Sequence, residues 1–185
     1  MDKFSIQNIQ KISSLNNELE YEKATSLFLE LRVLEKEDKS YLQHRNHLRE
    51  LIKGYEKKEW SNESEITEQQ INESDAAEHL IQAENEFHYK RKELIKKKLK
   101  EVSLNQSDLA KILGHRKGYM SELINNGLRP FSKDDLVVIN RLFKINFDDL
   151  IPAFVDQKRV SYIQKTLESL ANNKLRMPFG LFVDN

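Results

Sequence analysis

"LNQSDLAKILGHRKGYMSELINNGLRP" spans residues 104–130 and sets two short amphipathic segments on either side of a lone glycine. Asn105 stands where an N-cap belongs, because its side-chain oxygen can accept from the unsatisfied N–H groups of a first helical turn. Asp108 follows at the third helical position, where negative charge suits the helix dipole. Leu109, Ala110 and Leu113 then form one inward face, and Gly114 supplies the left-handed backbone that stops a helix at little cost. The second segment carries Tyr119, Met120, Leu123 and Ile124, and Asn126 with Gly127 can end it in the same way. Two short helices joined by a glycine-containing turn make a helix-turn-helix unit.

Outward from this unit the pattern stays helical. Ser132 is placed to cap "KDDLVVINRLF", whose Leu136, Val137, Ile139, Leu142 and Phe143 supply core, and Asn146 to cap a last turn through Asp149 and Leu150. On the N-terminal side, Ser74 or Asp75 is expected to start a long helix with Leu80, Phe87, Leu94, Ile95, Leu99 and Val102 along its apolar stripe. Its basic run "KRKELIKKKLK" is either a solvated face or, through Lys92, Lys96, Lys97 and Lys100, part of a surface for phosphates. The polar, acidic stretch at 60–73 reads as a linker or loose helix. Before it, Asn17 and Glu20 make a capping-box-like start to a helix with Leu19, Ala24, Leu27, Phe28, Leu31 and Leu34 inward. Ser40 is expected to cap a second helix with Leu48, Leu51, Ile52 and Tyr55, so 17–59 reads as an antiparallel hairpin.

Composition agrees with a mainly α chain. Of 185 residues 32% are charged, and only 5 are Gly and 3 Pro, too few turn-formers for an all-β fold. The formal net charge of zero conceals an asymmetry. Residues 1–80 hold 11 Lys/Arg against 17 Asp/Glu, a net of −6, and residues 81–185 hold 19 against 13, a net of +6. A basic half is a reason to expect a polyanionic partner. Without cysteine there is no thiolate nucleophile, disulfide or cysteine-based zinc site, and a reducing, cytoplasmic location is expected. No apolar run approaches the roughly 20 residues that span a bilayer, so no membrane role is expected.

The sequences "LNQSDLAKILG", "SELINNG", "RPFS" and "INFDDLIP" together resemble the lambda-repressor-like (XRE/Cro) helix-turn-helix family, over about residues 88–153. The stretch "SELINNGLRPFS" is similar to HigA-type antitoxins, in which a helical N-terminal region serves dimerisation and toxin contact and precedes the DNA-binding unit. The chain departs from that pattern by one additional residue between Ser121 and Gly127 and by a C-terminal extension.

The resemblance implies an operator-binding homodimer, and the side chains fit that role. Gln106 can hold a phosphate at the start of the first helix, or simply be an exposed capping residue. Arg116 and Lys117 place positive charge against the dipole at the start of the recognition helix, expected at 116–125, which a polyanion would compensate. Gly118 gives up a side chain in the first turn, through close approach to DNA or a relaxed turn. Tyr119, Ser121, Glu122 and Asn125 are expected on outward faces. Glu122 is able to accept from cytosine N4, and Ser121 and Asn125 to contact bases or phosphates. Arg129 and Lys133 suit phosphates near the next helix start.

Catalysis is not expected. His44 and His47 with Glu50 nearby lack a third-ligand pattern for a metal, and no phosphate loop, dinucleotide fingerprint or nucleophile elbow is present, so neither metal nor cofactor is expected. The organisation expected is a helical N-terminal dimerisation or partner region at 1–60, an acidic linker and connecting helix at 61–87, a helix-turn-helix domain at 88–153 and an extension at 154–185. The function expected is a DNA-binding antitoxin that represses its own operon and neutralises a toxin. The alternatives are a stand-alone repressor and a protein-interaction adaptor without DNA binding. In the extension, Val160, Ile163, Leu167 and Leu170 have helical spacing before Asn172 and Asn173. The apolar "KLRMPFGLFVDN" beyond either packs back on the domain, docks on a dimer mate or toxin, or is disordered.

Overall fold

The computed structural model describes residues 3–36, 38–62, 64, 66–124, 129–152 and 157–170. The chain is mainly helical, with seven α-helices and no strand among the described residues. No described helix is long and apolar enough to cross a membrane.

Helix α1 (Glu18–Leu34) starts at Asn17, whose side chain accepts from the Glu20 N–H at 2.9 Å. Only that half of a capping box forms. The Glu20 carboxylate instead accepts from the Asn16 backbone at 3.0 Å, the Asn16 amide at 2.9 Å and Lys3 Nζ at 2.6 Å. Burial pushes that carboxyl up, but these donors outweigh it and hold Glu20 below the usual carboxylate range. Ala24, Leu27, Leu31 and Leu34 are buried with Phe28 packed against them, whereas Leu19 is half-buried and not among the residues of this cluster.

Helix α2 (Tyr41–Glu59) returns antiparallel to α1: Tyr55 OH donates to Glu18 at 3.0 Å, Tyr21 OH to Glu56 at 3.0 Å, and the two tyrosine rings stack at 5.2 Å. Ser40 does not cap it. Its backbone is already helical and its hydroxyl makes no cap bond, because the turn begins earlier. There Asp38 accepts from the Ser40 N–H at 2.8 Å, and the Asp38 carbonyl from the Tyr41 N–H at 3.3 Å.

The core of this region needs a segment that carries no helical or strand period. Phe4, Ile6, Ile9, Ile12 and Leu15 are all buried against the hairpin, around a 3-10 turn at Ile9–Lys11. His47 Nε2 lies 2.8 Å from the Ile12 carbonyl, which can only accept, so the ring donates there and ties the segment to α2.

Helix α3 (Glu68–Glu101) starts before Ser74, since Thr67 accepts from the Gln70 N–H at 3.1 Å and so caps residues that composition alone assigned to a linker or loose helix. It packs along α1, joined by Lys23–Glu84 at 3.6 Å and Asn85 donating to Ser26 at 3.0 Å. Its far end contributes Ile95 and Leu99 to a second cluster. Val102, expected on the apolar stripe, is exposed where the helix stops.

That second cluster is built by α4 (Gln106–Ile112), α5 (Lys117–Ile124) and α6 (Lys133–Phe143) on the end of α3. Of the three caps expected here, those at Asn105 and Ser132 close as reciprocal boxes, whereas the Asn146 side chain makes no cap bond to its 3-10 turn. Asn105 accepts from the Ser107 and Asp108 N–H groups at 2.8 and 3.2 Å while Asp108 accepts from Asn105 at 3.1 Å; Ser132 and Asp135 repeat the arrangement at 3.1 and 3.1 Å. Ile139 and Phe143 face inward, but Val137 and Leu142 are exposed, being turned off the inward stripe. A 3-10 turn at Phe147–Asp149 brings Leu150 into the core. Buried Arg91 donates to the Leu150 carbonyl at 3.1 Å and to His88 Nδ1 at 3.1 Å, with its guanidinium over the Phe87 and Phe131 rings. Burial pushes Arg91 down to about 10, and burial together with Arg91 pushes His88 down to about 4.

Helix α7 (Gln157–Ser169) follows. Asn172, Asn173 and the apolar tail beyond lie outside the described residues.

Candidate nucleic-acid interface

Local chemistry positions α4 and α5. Gly114 at φ +72 makes the turn between them, a conformation that costs L side chains strain, and no protein atom would obstruct a Cβ there, so the dihedral alone demands glycine. Met120 and Leu123 are fully buried, and with Ile124 they lock α5 onto Leu109 and Ala110 of α4. His115, just before α5, places Nε2 at 3.0 Å from Asp135 in the first turn of α6, and its ring lies 4.8 Å from Tyr119. The start of α5 is therefore held on both sides.

From this anchored start Arg116 and Lys117 project as exposed cations, and among the described residues neither forms an ion pair. Lys133 at the start of α6 is likewise exposed and unpaired among the described residues. Gly118 has an ordinary backbone and a Cβ built on it would meet nothing within 4 Å. The fold itself gives no reason for its missing side chain. Gln106 and Ser121 are half-buried, and Tyr119 keeps 38% of its surface exposed. Asn125 lies outside the described residues.

Glu122 and Arg129 depart from their expected placement. Glu122 does not face outward: Oε2 accepts from Arg129 Nε and Oε1 from Tyr41 OH at 3.2 Å, leaving both oxygens engaged. Arg129 is drawn back by the same ion pair, lies over the Tyr119 ring at 5.1 Å, and donates to the Gln7 side-chain oxygen when that amide faces it. Both side chains are only 16% exposed. The structure thus brings Tyr119, Glu122 and Arg129 together, and adds two residues that sequence reasoning missed, Gln7 and Tyr41. Nothing local marks them. Tyr41 reads as the first residue of a hairpin helix, and it meets Glu122 only because the hairpin packs along α3.

Arg116 and Lys117 at the start of α5 and Lys133 at the start of α6 are thus exposed cations, while Glu122 and Arg129 neutralise one another. Compared with protein-family models, with curated proteins and with solved structures, the chain matches none.

Proposed function

We propose that this protein binds double-stranded DNA in a sequence-specific manner, with α4 and α5 as a lambda-repressor-like helix-turn-helix and α5 in the major groove. One observation carries the reading: Arg116, Lys117 and Gly118 crowd the start of α5, where the cations oppose the helix dipole and the glycine lowers helix propensity, and among the described residues no partner rewards either choice. A phosphate backbone brought close to that turn rewards both. Lys117 and Tyr119 are then the base-reading candidates, and Arg116, Lys133 and Gln106 the phosphate-positioning ones. A homodimer would present two such helices roughly 34 Å apart. The antitoxin role, with a toxin held by the N-terminal region, rests on the resemblance of "SELINNGLRPFS" and on the acidic N-terminal half.

Selection of duplexes from a random library, followed by titration at several salt concentrations, tests the reading. Gly118→Ala is the discriminating variant. It should stabilise the fold by up to about 1 kcal/mol through helix propensity, yet weaken duplex binding. Lys117→Ala should shift base preference and weaken binding by about 1–3 kcal/mol. A second reading, an adaptor that binds protein only, takes support from the internal pairing of Glu122 and Arg129. Absence of any salt-dependent duplex binding would favour it.

A further inference from the structure

We propose that the N-terminal region restrains DNA binding through an intramolecular latch, in which Gln7 and Tyr41 hold Arg129 and Glu122 away from the nucleic acid. The inference rests on the DNA-binding reading and adds its regulation.

The latch is a short polar chain with few spare valences. Arg129 has five N–H donors: Nε goes to Glu122, and the Gln7 oxygen takes both terminal nitrogens, the farther at 3.2 Å. Glu122 in turn spends its second oxygen on Tyr41 OH. A phosphate competing for Arg129 has to displace a carboxylate and an amide, and would leave Glu122 as an unneutralised anion beside a polyanion. Arg129 in this arrangement contributes nothing to affinity, and its charge is offset by that of Glu122.

The N-terminal partners are firmly placed. Gln7 sits between buried Ile6 and Ile9, in the segment that His47 ties through the Ile12 carbonyl. Tyr41 packs its ring against the same cluster, so its hydroxyl is aimed by the hairpin. Movement of residues 3–15 withdraws the Gln7 oxygen from Arg129, and movement of α2 withdraws the Tyr41 hydroxyl from Glu122, so that the Glu122–Arg129 pair alone stands against a competing phosphate. Because coupling of this kind is reciprocal, a partner that takes up residues 3–15 or the start of α2 raises affinity for DNA, and DNA favours the released form.

The test uses the full chain carrying Gln7→Ala and Tyr41→Phe together, titrated with a mixed-sequence duplex across a salt series. Gln7 is exposed and Phe keeps the Tyr41 ring, so the fold should persist; if the double variant does not melt cooperatively, Gln7→Ala alone, which frees both terminal nitrogens of Arg129, carries the measurement. Engagement of one further phosphate by the released Arg129 should steepen the log–log salt dependence by about 0.9 and tighten binding by up to about eightfold at about 0.1 M salt. Adding Arg129→Ala should cancel that increase. Wild-type binding with no increase in the variant, or an increase that persists without Arg129, overturns the latch alone. No binding by either protein overturns the DNA reading, and with it the restraint.

Discussion

The two hydrophobic clusters are made differently. The one around α1 and α2 is completed by an irregular stretch, residues 3–15, and accommodates the buried carboxylates of Glu18 and Glu20 with donors drawn from Lys3, Asn16 and Tyr55. The one around α4, α5 and α6 is assembled from segments with reciprocal caps, and its buried charged residues are Asp135, held by the Ser132 N–H of its own cap and by His115, and Arg91, whose guanidinium lies over two aromatic faces beside a neutral histidine. The difference is instructive: where helix ends are satisfied by residues three positions away, the element is legible locally, and where buried groups are satisfied by distant residues, it is not.

The sharpest way to break the comparison is to open each core. Ile9 and Leu109 are both fully buried, so Ile9→Ala and Leu109→Ala should each cost about 2–5 kcal/mol in chemical unfolding. Amide exchange should accelerate first in α1 and α2 for the former and in α4 and α5 for the latter. A loss under about 1 kcal/mol for Ile9→Ala would mean that the irregular segment is not part of the core.

The clusters should also respond to pH in opposite directions. Burial lifts Glu30 of α1 from an ordinary 4.5 to about 8, with Lys92 of α3 pulling weakly the other way. Between those values the unfolded chain has released a proton that the folded chain keeps, so this group's contribution falls as pH rises from 4.5 to 8. His88 is the reverse case: lowered from 6.5 to about 4, it stays neutral in the fold while the unfolded chain takes up a proton, so its contribution is present above 6.5 and falls as pH falls toward 4. Thermal melts across pH should therefore show Glu30→Gln removing the decline as pH rises from 4.5 to 8 and His88→Asn, which preserves an acceptor for Arg91, removing the decline as pH falls from 6.5 toward 4. Parallel curves for a variant and the wild type would show that its group does not titrate differently on folding.

Smaller effects separate the caps. Ser132→Ala and Asn105→Ala should each cost about 1 kcal/mol, because each removes an acceptor that a first-turn N–H uses. Ser40→Ala should stay within about 0.5 kcal/mol, since its hydroxyl caps nothing. A loss at Ser40 equal to that at Ser132 would remove the distinction between the two helix starts.

The sequence by itself determined the helices whose signals are short-ranged. Asn105 with Asp108, Ser132 with Asp135 and the stop at Gly114 each depend on a few consecutive residues, and the alternation of Ala24, Leu27, Leu31 and Leu34 depends on helical period alone. Arg116 and Lys117 at the start of α5 were legible for the same reason. Only the tertiary structure decided that residues 3–15 are core, because Ile6, Ile9, Ile12 and Leu15 recur every third residue, which is neither the α-helical nor the strand period, and with Phe4 become inward only against a formed hairpin. It alone decided the fates of Glu122 and Arg129. A one-dimensional reading assigns a face to Glu122 from the turn of its own helix, but the hydroxyl that captures it comes from Tyr41, 81 residues away, delivered by the packing of α2 on α1 and of α1 along α3. Electrostatic pairing is set by distance in space, and that distance exists only once the helices have docked.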